Sequence, residues 1–155
     1  MTVTISNVFS ESRNQVVSII NSNVVDPKVG SANSRRRWIY REFPDTTSRD
    51  FAGYPFIVIT SPELEDNIQD LQGCLSNGEL NLSIECYAEF NDVNARIDTL
   101  SNGVYSTLRD YTNRRTLLAA NLDIENIQAG PFDSQDEDGK RLSTRKFTVP
   151  FTSTL

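Results

Sequence analysis

From Leu80 to Phe90 apolar and polar positions alternate without a break. Leu80, Leu82, Ile84, Cys86, Ala88 and Phe90 fall on one side, and Asn81, Ser83, Glu85, Tyr87 and Glu89 on the other. Successive strand side chains face opposite sides of a sheet, so this pattern predicts a half-buried strand. The period then lengthens: Val93, Ile97, Leu100, Val104, Leu108 and Tyr111 recur at helical spacing, one stripe of an amphipathic helix. Asn91 or Asp92 is placed to cap its start with a side-chain oxygen. A one-faced strand running into a one-striped helix predicts a sheet with helices packed on it.

Upstream, Ser6 or Asn7 opens a first helix with Phe9, Val16, Val17, Ile19, Ile20 and Val24 on its apolar side and Glu11, Arg13, Asn14 and Gln15 outside. Asp26-Pro27 stops it, because the residue before proline is pushed out of the helical region. Trp38 to Phe43 reads as a strand, with Trp38, Tyr40 and Glu42 on one face and Ile39, Arg41 and Phe43 on the other. The unbroken run Phe56-Ile57-Val58-Ile59 predicts a strand covered on both faces. Asn77-Gly78 carries the signature of a two-residue hairpin turn. That turn sets Leu75 opposite Leu80 and Leu71 opposite Ile84, and puts Cys74 and Cys86 on different faces. A bridge between the two cysteines would break the hairpin, and unpaired thiols fit a reducing compartment.

Thr112 to Asn121 predicts a further helical turn or two. Leu122 and Ile124 share one phase and Ile127 and Ala129 the other, which predicts a bulge near Glu125-Asn126. Phe147, Val149 and Phe151 alternate in a last strand, and Pro131 to Lys140 forms an acidic hairpin tip. With no internal repeat, the 155 residues read as one α+β domain, 1–155. Its sheet is mainly antiparallel or mixed, with an N-terminal helix and a long central helix packed on it. Two connections, Asp26 to Arg37 and Pro44 to Pro55, are long for so small a chain. Such loops are either mobile or engaged with something, which makes them the first place to look for an interface.

Composition narrows the function classes. Net charge is −6 and the isoelectric point about 4.6, so bulk attraction to phosphate is not expected. No apolar run reaches membrane-spanning length, and residues 1–9 lack the pattern of a secretory signal. The sequence contains no histidine, which removes Ser-His, Cys-His and His-metal chemistry together. Its glycines are scattered singly, so no phosphate loop forms. Glu85 and Glu89 share a strand face and are explained by solvation before acid–base catalysis. Tested as a calcium loop, the stretch from Asp133 to Gly139 fails, because Arg145 falls where a bidentate Glu is needed. Arg35-Arg36-Arg37 followed by Trp38 and Tyr40 has the form of a basic–aromatic nucleic-acid patch. A contact to an acidic neighbour, such as the Asp133–Asp138 tip of another subunit, suits an acidic chain as well, and a solvated loop explains it too. The expectation is a protein that is not an enzyme and holds no cofactor or metal.

The order of elements resembles the tail terminator, or tail-completion, proteins of long-tailed bacterial and archaeal viruses. The resemblance is carried by Phe56–Thr60, the stretch about Asn77-Gly78, the unit Leu80–Tyr111 and the strands Leu122–Phe132 and Leu142–Phe151. It implies a virion protein, assembled in the host cytoplasm, that forms a homohexameric ring at the head-proximal end of the tail. Its implied partners are further copies of itself, the tail tube protein and a neck or head-completion protein. DNA would pass through the lumen without specific binding, and no membrane would be involved. Interface residues would be sought in the long loops and the tip: Arg35, Arg36, Arg37, Trp38, Arg49, Asp50, Asp133, Asp136, Glu137 and Asp138. Other virion parts (a connector, neck or tail-tube subunit) share such a pattern. From a different class, a small cytosolic carboxylate-using enzyme or a binding domain fits the same composition.

Overall fold

A computed structural model describes residues 2–4, 6–68, 76–90 and 95–154. Helix α1 (Val8–Asn23) leads through a long loop to β1 (Ile39–Tyr40), and a second loop leads to β2 (Phe56–Ile59). Strands β3 (Glu63–Ile68) and β4 (Ser76–Glu89) precede α2 (Ala95–Arg109) and α3 (Tyr111–Ala119). Four strands close the fold: β5 (Asp123–Ile124), β6 (Gln128–Ala129), β7 (Asp133–Glu137) and β8 (Lys140–Thr154). The result is a single α+β domain with a mixed sheet, in which β1 and β2 pair in parallel and every other pairing is antiparallel.

The long strand β4 is the axis of the sheet. Along one edge it pairs with β8 from Asn77↔Thr154 to Glu89↔Leu142. Along the other it pairs first with β3 and then with β2. Its alternation is borne out from Leu80 to Ala88: Leu80, Leu82, Ile84, Cys86 and Ala88 are buried in one core cluster with Phe147, Val149 and Phe151 of β8. Phe90, expected on that face, lies past the strand and is exposed, and Tyr87, expected outside, is buried on the other face. The same cluster holds Val16, Ile19 and Ile20 of α1, Ile97, Leu100, Val104 and Leu108 of α2, and Leu117 of α3. Each such side chain contributes roughly 1.5–3 kcal/mol by leaving water. In β2 all four residues are buried, Ile57 and Ile59 toward the helices and Phe56 and Val58 toward the opposite face.

Several expectations are corrected. Asn77-Gly78 is no turn: Asn77 pairs with Asn67 and Gly78 with Asp66, so both lie inside β4. A pairing partner was available upstream, and Leu64 rather than Leu75 stands opposite Leu80. Leu71, Cys74 and Leu75, with the caps Asn91 and Asp92, lie outside the described residues; Cys86 itself is a free, buried thiol. The strand expected from Trp38 to Phe43 shrinks to Ile39–Tyr40. The central helix ends at Arg109, because the Asp110 side chain accepts from Asn113 N at 3.0 Å and starts α3 afresh. Tyr111, placed in the buried stripe, is therefore exposed. On α1 the expected outward Arg13 is buried, its Nε donating to Ile59 O at 2.6 Å, while Phe9 is half exposed.

The closing strands carry the expected bulge and a second one. From Ile124↔Phe151 to Gln128↔Thr148 one strand advances four residues and its partner three. The same slip recurs between Ala129↔Phe147 and Asp133↔Thr144. At the tip, Asp138 (φ 49°) and Gly139 (φ 74°) form the two-residue turn between β7 and β8. Both central residues of a type I′ turn need positive φ, which Asp-Gly tolerates.

Candidate interaction surface

The first long loop is built around a buried ion pair. Just after α1, Asp26 O accepts from Val29 N at 3.1 Å and Gly30 N at 2.7 Å, turning the chain at Pro27. Its carboxylate is fully buried and grips Arg36 at both oxygens: Arg36 Nε donates to Oδ2 at 2.8 Å and Nη2 to Oδ1 at 2.7 Å. The same guanidinium reaches the second long loop, with Nη1 donating to Gly53 O at 2.8 Å and Nη2 to Pro55 O at 2.7 Å. One planar fork thus satisfies four acceptors on two loops, a geometry that lysine cannot supply. Burial opposes ionisation of Asp26, but the bonds from Arg36, Lys28 and Ser34 outweigh it and hold the carboxyl below its usual range. Beside this pair, Lys28 Nζ donates to Ala52 O at 3.1 Å. Gly53 has φ 88°, a left-handed conformation that glycine adopts without the strain any other side chain would carry.

The second loop carries aromatic rings onto the sheet face opposite the helices. Phe43, Phe51 and Tyr54 pack against Tyr40, Phe56, Val58, Tyr87 and Leu142. Phe43 meets Phe56 and Tyr87 edge-on with centroids 5.6 and 5.1 Å apart, and Phe51 meets Phe56 at 5.6 Å. Such pairs add about 0.5–1.5 kcal/mol each beyond the area they bury. The hairpin tip fastens the outer side: Thr46 Oγ1 donates to Asp138 Oδ2, and Lys140 pairs with Glu89 at 2.9 Å while standing over the Tyr54 ring. Both long loops are thus engaged, with each other and with the sheet.

The ten residues singled out from sequence are divided by this arrangement. Arg36 is spent inside, on Asp26 and two carbonyls, and Trp38 is buried in the helix-side core. Arg35, Arg37, Arg49 and Asp50 point outward from the loop layer. Arg37 lies over the Tyr40 ring at 5.4 Å. Asp133, Asp136, Glu137 and Asp138 belong to the β7 edge and its turn; of these, Asp138 meets the loop layer. Their register opposite Thr144, Arg141 and Lys140 spreads the carboxylates along a strand. Among the described residues no group of three or more His, Cys, Asp or Glu could hold a metal. Sequence reasoning missed Lys28 and Tyr54, set Arg13 on the outer side of α1, and weighed Glu89 only as a solvated neighbour of Glu85. Asp26 looked only like a helix stop, and a pair ten residues apart across a loop follows no periodicity.

Outside the layer, the remaining half of that sheet face is an open polar surface. A hollow of about 470 Å³ there is lined by Glu85, Tyr87, Thr144, Lys146 and Thr148, with Gln128 to Pro131 and Asp133 at its wall. Tyr87 Oη donates to Glu85, and burial together with that carboxylate raises the phenol above its usual range. A phenol held protonated by a carboxylate that it already bonds is a poor acid or base near neutral pH. Among the described residues no helix is long and apolar enough to cross a membrane.

No family model matches the chain, and no curated protein matches it. The descriptions that came with the resemblance are corrected accordingly. Virion, viral tail, tail terminator, tail completion, head–tail joining, homohexameric ring and virus assembly rested on element order, which no sequence match supports, and they are withdrawn as descriptions of this chain. What stands is a single α+β domain whose second long loop packs on one face of its sheet and is tied to the first long loop through Arg36 and Lys28.

Proposed function

We propose that the chain is a non-catalytic binding or assembly module that docks on another protein through the loop layer formed by residues 26–55. The observation that carries this is the Asp26–Arg36 pair with its bonds to Gly53 and Pro55. It stiffens two loops whose outer side chains face solvent, and a surface ordered in advance loses less entropy on docking. Arg35, Arg37, Arg41 and Arg49 are exposed there and form no ion pair among the described residues. A carboxylate enzyme needs paired acids in a shaped pocket; Asp133, Asp136 and Glu137 are strung along β7, and Asp26 is spent on Arg36.

The ring, tail-tube and neck partners implied by the resemblance have element order alone behind them, and the broader reading does not need them. A photo-crosslinking residue tests it when placed at Glu42 or Arg49 on the layer, or at Leu118 on α3 as a control. In the source cells the layer positions should yield a discrete protein adduct that the α3 position does not, its mass separating a second copy from another chain. Adducts that are absent, or equal at all three positions, refute the reading.

A further inference from the structure

A smaller hollow, of about 280 Å³, lies where α2 and α3 meet the connection from β5 to β6. Its floor is apolar: Leu108 and Ile124 are buried in the helix-side core, and Ile127 packs half-buried against them. Two guanidiniums, those of Arg109 and Arg114, stand in its wall. Each is oriented by a neutral group. Arg109 Nη1 donates to Tyr105 Oη at 2.9 Å, one helical turn back, and Arg114 Nη2 reaches Ile124 O at 3.4 Å. Neither forms an ion pair among the described residues. The acid between them in sequence, Asp110, is turned to its own helix, where its carboxylate accepts from Asn113 N at 3.0 Å. Glu125 supplies the one carboxylate of the lining, and its Oε1 accepts from Thr152 Oγ1. Two arginines thus face a single acid that is already engaged, so this hollow is locally positive in a chain of net charge −6.

The two halves of the hollow ask for different things of an occupant. A guanidinium presents parallel N–H donors that match a carboxylate. The floor of Leu108, Ile124 and Ile127 offers nothing to a small hydrated anion such as phosphate, but it shelters hydrocarbon that leaves water. The volume falls at the small end of ligand sites, which suits a molecule of few atoms. We propose that this hollow binds a small organic acid, with its carboxylate at Arg109 and Arg114 and its hydrocarbon body on Leu108, Ile124 and Ile127. None of the lining residues belongs to the loop layer, so the site stands independently of the docking surface on residues 26–55.

The test is a nuclear magnetic resonance titration of the full chain with millimolar hexanoate, and in parallel with hexanol, acetate and inorganic phosphate. The protein is wild type, the double variant Arg109→Gln/Arg114→Gln, or Arg115→Gln, a cation of α3 outside the hollow, each checked for an unchanged thermal midpoint. In wild type and Arg115→Gln, hexanoate should shift the methyl groups of Leu108, Ile124 and Ile127 and the side-chain N–H groups of Arg109 and Arg114. Its affinity should fall by about tenfold or more in the double variant, where the charge-assisted bonds are lost. Hexanol, which keeps the body, and acetate, which keeps the charge, should each bind about tenfold more weakly than hexanoate. Should the double variant unfold, the wild-type shift map and the hexanol comparison still decide. The proposal is overturned if hexanoate does not bind or shifts other residues instead. It is equally overturned if hexanol or phosphate binds as tightly, or if the folded double variant binds as wild type does. A tripeptide with a free leucine carboxyl that binds more tightly than hexanoate would also overturn it, in favour of a site for chain ends.

Discussion

Replacing Arg36 by alanine is the sharpest perturbation of this structure. It strands a fully buried carboxylate at Asp26 and takes donors from Gly53 O and Pro55 O. Breaking a buried pair by removing one partner costs about 3–5 kcal/mol. An independent bound comes from the escape route, in which Asp26 takes up a proton. From an ordinary carboxyl pKa of about 3.9, protonation near pH 7 costs roughly 4 kcal/mol, so the loss should not exceed that by much. The pH dependence follows from the sign of the shift. With Arg36 present, the Asp26 pKa is lowered on folding, so its contribution is full above the unfolded value and is lost as pH falls through the folded one. Removing Arg36 takes away the largest contribution that opposes burial, so the Asp26 pKa moves up and the penalty on the variant relaxes as pH falls toward about 4. Urea unfolding of wild type, Arg36→Ala, Asp26→Asn and the double variant, at both pH values, measures this as a coupling energy. A loss below about 1 kcal/mol, against the 3–5 expected, or one that does not change with pH, would refute the reasoning.

Other outcomes follow from the same geometry. The Cys86 thiol, its pKa pushed up to about 12 by burial, should resist alkylation in the native protein and react on unfolding, as peptide mass mapping would show. Gly139→Val puts a β-branched residue at φ 74° and should lower stability by about 1–2 kcal/mol in urea titration. Tyr87, with its raised pKa, should stay protonated beyond the ordinary tyrosine range in an ultraviolet pH titration. Its sign is that of an acid bound more tightly when folded, so it costs stability only above about pH 10.

What could be read from the chain beforehand was what repeats locally. β4 shows its burial in its own alternation, and so do Phe147, Val149 and Phe151, because period-two faces need no knowledge of partners. The bulge near Glu125 was legible as a phase change between Ile124 and Ile127. What failed depended on distant competition. Asn77-Gly78 is a strong turn signal, yet it lies in a strand because Asn67 and Asp66 take the pairing. Arg13 looks solvated until the end of β2 offers it a carbonyl. The triplet Arg35-Arg36-Arg37 was rightly marked as unusual, but no spacing rule says which of its members turns inward. Only the position of Asp26, set by the end of α1, decides that.

Native-state hydrogen exchange tests the pinned layer most directly. Ser48 N bonds to Asp45 O and Phe51 N to Ser48 O within the second loop, and Gly30 N to Asp26 O within the first. If the loops are fastened as described, these three amides should be protected in wild type, and in Arg36→Ala they should exchange rapidly while Leu82 and Ile84 of β4 stay protected. Wild-type amides at Gly30, Ser48 and Phe51 exchanging at the rate of an unstructured chain would contradict it.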